Sequence, residues 1–169
     1  MVALATSILG GCAGGSGETP SSVVQRLYQT RINARMTGAP TPEELRLMAP
    51  YLSEQLRSLL RQARELHDAE AARSPDEKPA FADGDLFSSL FEGPTSLQVV
   101  AEKTNGMVYH VEVQFAFGKP FEASWTDDVT VILEKGRYVV ADVQYGGRWD
   151  FGNKGALVAS LKRALSRGC

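Results

Sequence analysis

Hydrophobic residues change their period near the middle of the chain, and that switch restricts the fold more than any single motif. As far as Leu66 they recur every three or four positions, and from Ser96 they recur at every second one. The first spacing marks one face of a helix, the second one face of a strand. Helices followed by strands, with no βαβ alternation and no internal repeat, predict an α+β fold. N-terminal helices would pack on one face of a curved antiparallel sheet, and a C-terminal helix would close the chain. A chain of 169 residues has room for one such domain and little more.

The helix ends are well signalled. Thr19-Pro20 offers an N-cap and a first-turn proline, Val24, Leu27, Tyr28 and Ile32 follow at helical spacing, and Gly38 offers a stop. Thr41-Pro42-Glu43-Glu44 is a capping box, and Pro50 interrupts the helix carrying Leu45 and Met48. A third helix begins near Ser53, with Leu56, Leu59, Leu60, Ala63 and Leu66 on one face. Arg57, Arg61 and Arg64 lie on another, read as a solvated stripe screened by Glu65. Residues 74–79 have linker composition. The segment 81–94 lacks a period but holds Phe81, Phe87, Leu90 and Phe91, so it is expected to fold onto the body, with Asp85 capping a short helical turn.

Leu97, Val99 and Ala101 alternate with polar neighbours, and Thr104-Asn105-Gly106 has hairpin turn chemistry. Met107, Tyr109, Val111, Val113, Phe115 and Phe117 then make one apolar face, with His110, Glu112 and Gln114 on its reverse. Asp127-Asp128 reads as a strand-entry pair before Val129, Val131 and Leu133. Glu134-Lys135-Gly136 reads as a turn, and Val139, Ala141, Val143 and Tyr145 as the face of the last strand. Leu157, Leu161 and Leu165 mark the closing helix, whose Lys162, Arg163 and Arg167 suit the negative end of its dipole.

The other strong signal lies at the start. Residues 1–9 are largely apolar and run into Gly10-Gly11-Cys12, the grammar of a secretory signal ending in small residues. No Lys or Arg precedes the apolar stretch, as expected if the start has been placed downstream of the true one. Leu9-Gly10-Gly11-Cys12 resembles the lipobox of bacterial lipoproteins. That resemblance implies a signal peptide over residues 1–11, a lipidated Cys12 and a flexible tether over 12–18, ahead of a single domain at 19–169. Acyl chains contribute about 0.8 kcal/mol per buried methylene, so a multiply acylated Cys12 would hold the chain on a membrane. The Gly/Ser-rich tether would reach about 15 Å. Ala13 after the Cys is similar to the outer-membrane sorting pattern, which implies the periplasmic face of that membrane.

Three helices, an irregular aromatic segment and hairpins ending in Gly136-Arg137-Tyr138-Val139-Val140-Ala141-Asp142-Val143 resemble a nuclear-transport-factor-2-like (cystatin-like) cone. Pro50-Tyr51-Leu52-Ser53-Glu54-Gln55-Leu56 and Asp85-Leu86-Phe87 are similar to stretches of a family of uncharacterised bacterial envelope domains. The resemblance implies a fold and no activity, because such folds host enzymes, binders and inert partners alike.

Reactive chemistry is thinly represented. A net charge of −2 and a pI near 5.7 leave no footprint for nucleic acid. Two Cys and two His are too few for a zinc ribbon or finger. Gly147-Arg148-Trp149-Asp150-Phe151-Gly152-Asn153-Lys154 imitates a phosphate loop. However, Asn153 separates the glycine from the lysine, and Gly155 stands where Mg²⁺ needs a hydroxyl. It reads instead as a connection with Trp149 and Phe151 tucked into the core. His110 and Glu112 share a strand face, which Asp142 and Gln144 could join, but no second His completes a ligand set there. His67 reads as a boundary residue, and Asp83 and Asp85 lack calcium-loop spacing. Cys169 beside Gly168 reads as a free thiol or as a disulfide partner of Cys12, which lipidation of Cys12 would exclude. No catalytic set, metal site or cofactor is assigned.

The expected function is therefore a non-catalytic, lipid-anchored envelope domain that binds a protein partner or small ligand. Its surface would be a cone mouth lined by Tyr28 and Phe87, or the polar face of His110, Glu112 and Gln114. An inhibitor or immunity-type protein against an envelope hydrolase is one alternative. A small isomerase- or dehydratase-like enzyme is another, and it needs a carboxylate that the apolar strand face does not offer.

Overall fold

In the computed structural model, which describes residues 17–118 and 123–167, the helices start where their caps direct. Helix α1 (Pro20–Ala34) opens at a capping box in which Thr19 and Ser22 satisfy each other's amides. It ends at Arg35, not Gly38: Arg35 turns left-handed at φ 51° and donates its N–H to the last turn. Gly38 instead donates its N–H to Gly84 O and lays the chain beside the segment carrying Phe81. Helix α2 (Pro42–Met48) opens with the Thr41–Glu44 box. A 3-10 turn over Ala49–Tyr51 absorbs Pro50 and leads to Ser53, which caps α3 (Glu54–Arg73).

Strands β1 (Ser96–Asn105), β2 (Val108–Phe117), β3 (Ala123–Glu134) and β4 (Arg137–Gln144) form an antiparallel sheet in chain order. Strand β3 begins well before Val129, so Asp127 and Asp128 lie inside the strand, not at its entry. Two bulges change the expected faces. One, between Val99 and Ala101, puts Ala101 opposite Glu112 on the polar face. The other, at Thr130/Val131, buries Val140 opposite Val131 in place of Ala141. Each extra residue also bends its strand, and the sheet is curved. Met107 misses the apolar face as well, standing 75% exposed at the hairpin tip.

Helix α1 crosses the sheet and buries Val23, Val24, Leu27 and Tyr28 against Val111, Val113, Phe115 and Val129. Leu56, Leu59, Leu60 and Ala63 of α3 join the same cluster, as do Leu157 and Leu161 of α4 (Leu157–Leu165). Each fully buried side chain of this size contributes about 1.5–3 kcal/mol. The β4 edge is closed by two isolated bridges, Leu52 to Val140 and Ala156 to Gln144. A covered edge cannot pair with another chain.

Candidate functional site

The polar interior was not visible in the sequence, and it is extensive. Asp127 points to the apolar face of β3, where it is 1% exposed. Its Oδ2 accepts the Ser89 amide at 2.8 Å and Trp125 Nε1 at 3.1 Å; its Oδ1 accepts the Gly146 amide at 2.8 Å and the Ser89 hydroxyl. A carboxylate does therefore alternate onto that face, contrary to expectation, but protein donors engage both its oxygens. Burial outweighs those donors and raises its pKa above the usual carboxylate value.

Beside it, Arg31 and Asp85 form a buried ion pair at 2.7 Å, each side chain no more than 6% exposed. The Arg31 guanidinium stacks on Phe87, with Cζ 4.0 Å from the ring centroid. Asp85 also accepts the Phe87 amide at 2.7 Å and the Ser88 hydroxyl at 3.2 Å, so it braces a run of bends, and the helical turn expected after it does not form.

Tyr28 and Phe87 do not line an open mouth. Both are fully buried, and the Tyr28 hydroxyl donates to Phe87 O at 2.6 Å. Tyr145 donates to the neighbouring Leu86 O at 2.6 Å, and burial pushes both phenols well above their ordinary pKa. Their closeness follows from packing: Tyr28 lies against Phe115 at 4.7 Å, and Phe115 against Trp125 at 5.5 Å.

The loop that imitates a phosphate cradle, with the glycine before it, is tied at both its ends to the protein. Gly146 donates to Asp127, Gly147 donates to Ser89 Oγ at 2.8 Å, and Asn153 Nδ2 donates to Asp85 O and Ser88 O. Both glycines are required by close approach: a Cβ on Gly146 would lie 2.2 Å from Thr126 O, and one on Gly147 2.5 Å from Ser89 Cβ. Trp149 packs on Trp125, but Phe151 is 67% exposed, not buried, because the loop turns it outward.

On the reverse of the sheet, His110 Nδ1 lies 2.8 Å from Asp128 Oδ1, both partly exposed. Register places Glu112 opposite Asp128 and Asp128 opposite Gln144, while Gln114 faces Thr126 in solvent. Asp142 takes no part in that constellation; its Oδ1 accepts the Val158 amide at the start of α4. His67 Nδ1 meets Ala80 O at 3.0 Å, fastening the segment that follows α3. Among the described residues no three His, Cys, Asp or Glu side chains gather as a ligand set, and no helix is long and apolar enough to cross a membrane. Cys12 and Cys169 lie outside the described residues.

A cleft of about 620 Å³ opens between α2 and α3. Pro40, Pro42, Leu45 and Ala49 form its apolar wall. The facing wall is the Arg57, Arg61 and Arg64 stripe, of which Arg61 is exposed as expected. Arg57 and Arg64 are half-buried, and Arg61 reaches Ser58 Oγ at 3.4 Å but forms no ion pair with Glu65. The sequence carried the signal, three arginines at helical spacing. It gave no sign that α2 folds back beside them.

No protein-family model matches the sequence, and no curated protein matches it. Among solved structures, the chain is similar to a protein of unknown function from Bacteroides thetaiotaomicron VPI-5482. Identity is 20% over 74% of this chain and 88% of that one, with a TM-score of 0.38. It is also similar to a Campylobacter jejuni protein provisionally described as an NTF2-like transpeptidase. There the identity is 15% over 72% of this chain and 92% of that one, with a TM-score of 0.28. Neither superposition is tight enough to carry chemistry across. The elements themselves make this an α+β chain, with helices on a curved four-stranded antiparallel sheet and a helix at the C-terminal end.

Proposed function

We propose that this chain is a non-catalytic, lipid-anchored domain of the bacterial cell envelope, held at the periplasmic face of the outer membrane and binding a small ligand or protein partner. The anchoring half of this reading is supported by Leu9-Gly10-Gly11-Cys12 and by Ala13 after it. The element order, helices before a four-stranded meander, favours a nuclear-transport-factor-2-like cone for the body.

One observation carries the binding half: the carboxylate on the apolar sheet face, Asp127, is used up by the fold. A general acid or base must reach the proton it moves, within about 2.6–3.2 Å. Asp127 instead spends both oxygens on Ser89, Gly146 and Trp125. The α2–α3 cleft, by contrast, is open and has a size typical of ligand pockets.

The test is fractionation of cells expressing the full precursor, with mass spectrometry of the N-terminal peptide. The expected result is membrane-associated protein carrying acyl mass on Cys12, and release into the soluble fraction by Cys12→Ala. Continued sedimentation of Cys12→Ala with membranes, or unmodified intact chain in the cell interior, sinks the anchoring.

A further inference from the structure

We propose that the α2–α3 cleft binds a small organic anion with an apolar body, gripping its acidic end with Arg57 and Arg61. This rests on the reading of the chain as a binding domain and names the chemistry of its ligand.

Charge accounting around the cleft leads there. Arg64 is paired with Asp68 at 2.9 Å, Glu54 with Lys135 at 2.9 Å, and Arg46 with Glu43 at 3.5 Å. Those charges are matched within the chain. Among the described residues, Arg57 and Arg61, one turn apart on α3, have no carboxylate within ion-pair distance, and the lining residue Glu65 likewise has no cation. Two cations against one anion leave the cleft positive, and like charges four apart on a helix repel. An added anion relieves that repulsion.

Arg57 adds a second, independent sign. Its Nε, like those of Arg31 and Arg64, is buried without a hydrogen-bond partner among the described residues. Buried polar groups are nearly always hydrogen-bonded, so Arg57 brings to the cleft a guanidinium that the chain does not fully satisfy. A carboxylate or phosphate group offers two oxygens in the spacing a guanidinium takes up side by side.

The opposite wall decides what the rest of the ligand must be. Pro40, Pro42, Leu45 and Ala49 present no charge and no side-chain donor. Inorganic phosphate would leave that wall uncovered, and a neutral hydrocarbon would leave the Arg57 and Arg61 charges unmatched. A molecule with both parts satisfies both walls, and the volume suits a ligand of small-molecule size.

The experiment titrates the purified full chain with monomeric decyl phosphate, decanol, inorganic phosphate and anionic phospholipid vesicles. Binding is read by calorimetry and by displacement of 1-anilinonaphthalene-8-sulfonate. Saturable one-site binding of decyl phosphate is expected, weakening as salt rises. The double substitution Arg57→Gln/Arg61→Gln should weaken it at least tenfold with the thermal midpoint unchanged or raised. Arg163→Gln on α4 should leave it unaltered. Equal affinity in the double variant, equal binding of decanol or of inorganic phosphate, or binding to vesicles alone overturns the proposal. Because the titration does not depend on acylation, its failure and a failure of anchoring are read separately.

Discussion

A carboxylate on the apolar face of a sheet is costly unless donors surround it, and Asp127 has four of them. Three belong to groups that have no other use in the interior, so Asp127→Ala would strand the Ser89 amide, the Gly146 amide and Trp125 Nε1. Each stranded donor costs about 1–3 kcal/mol, and the expected loss is about 3 kcal/mol or more by urea unfolding. A loss under about 1 kcal/mol would show the cluster to be incidental. The same residue fixes a pH dependence. Its folded pKa is raised above the ordinary 3.8, so the folded chain holds this proton more tightly than the unfolded one. Its contribution is complete below the unfolded value and is lost as pH rises through the folded value. Asp127→Asn should therefore flatten the decline in stability expected as pH rises above that ordinary value, read by urea unfolding at a series of pH values.

Helix α4 lacks a capping side chain of its own, because Ala156 occupies the N-cap. The cap comes from the preceding strand: Asp142 Oδ1 accepts the Val158 amide at 2.9 Å, and its charge suits the positive end of the helix dipole. Asp142→Ala should cost about 1 kcal/mol and speed amide exchange at Val158; an unchanged exchange rate there would contradict the assignment. This cap shows where reading the sequence stops. Thr19, Thr41 and Ser53 were legible because a local cap and its amide lie three residues apart. Asp142 and Val158 are related only through the fold. The bulges at Val99/Ala101 and Thr130/Val131 were equally silent, since alternation alone does not reveal where an extra residue enters. Arg31 was hidden for a different reason: on a helix it looks like any solvated arginine, and only Asp85 and Phe87 explain its burial.

At the scale of the molecule, two irregular segments are sewn to the sheet and to each other. Ser89 meets Asp127 and Gly147, Asn153 meets Asp85 and Ser88, and Tyr145 meets Leu86. A chain stopped after Gln144 keeps all four strands but loses Gly146, Asn153 and α4. It should unfold without a cooperative urea transition, whereas retention of the full-length m-value would mean the seam is dispensable.

That seam also sets an order of events. A ribosome delivers α1, α2 and α3 first, yet the surface they cover is made later and the amides that complete Asp127 and Asp85 nearly last. Nascent copies therefore wait, greasy and unlatched, until the segment after β4 arrives. An aborted copy is left with an open seam that a protease can find, so quality control of this polypeptide is written into which end of it ties the knot.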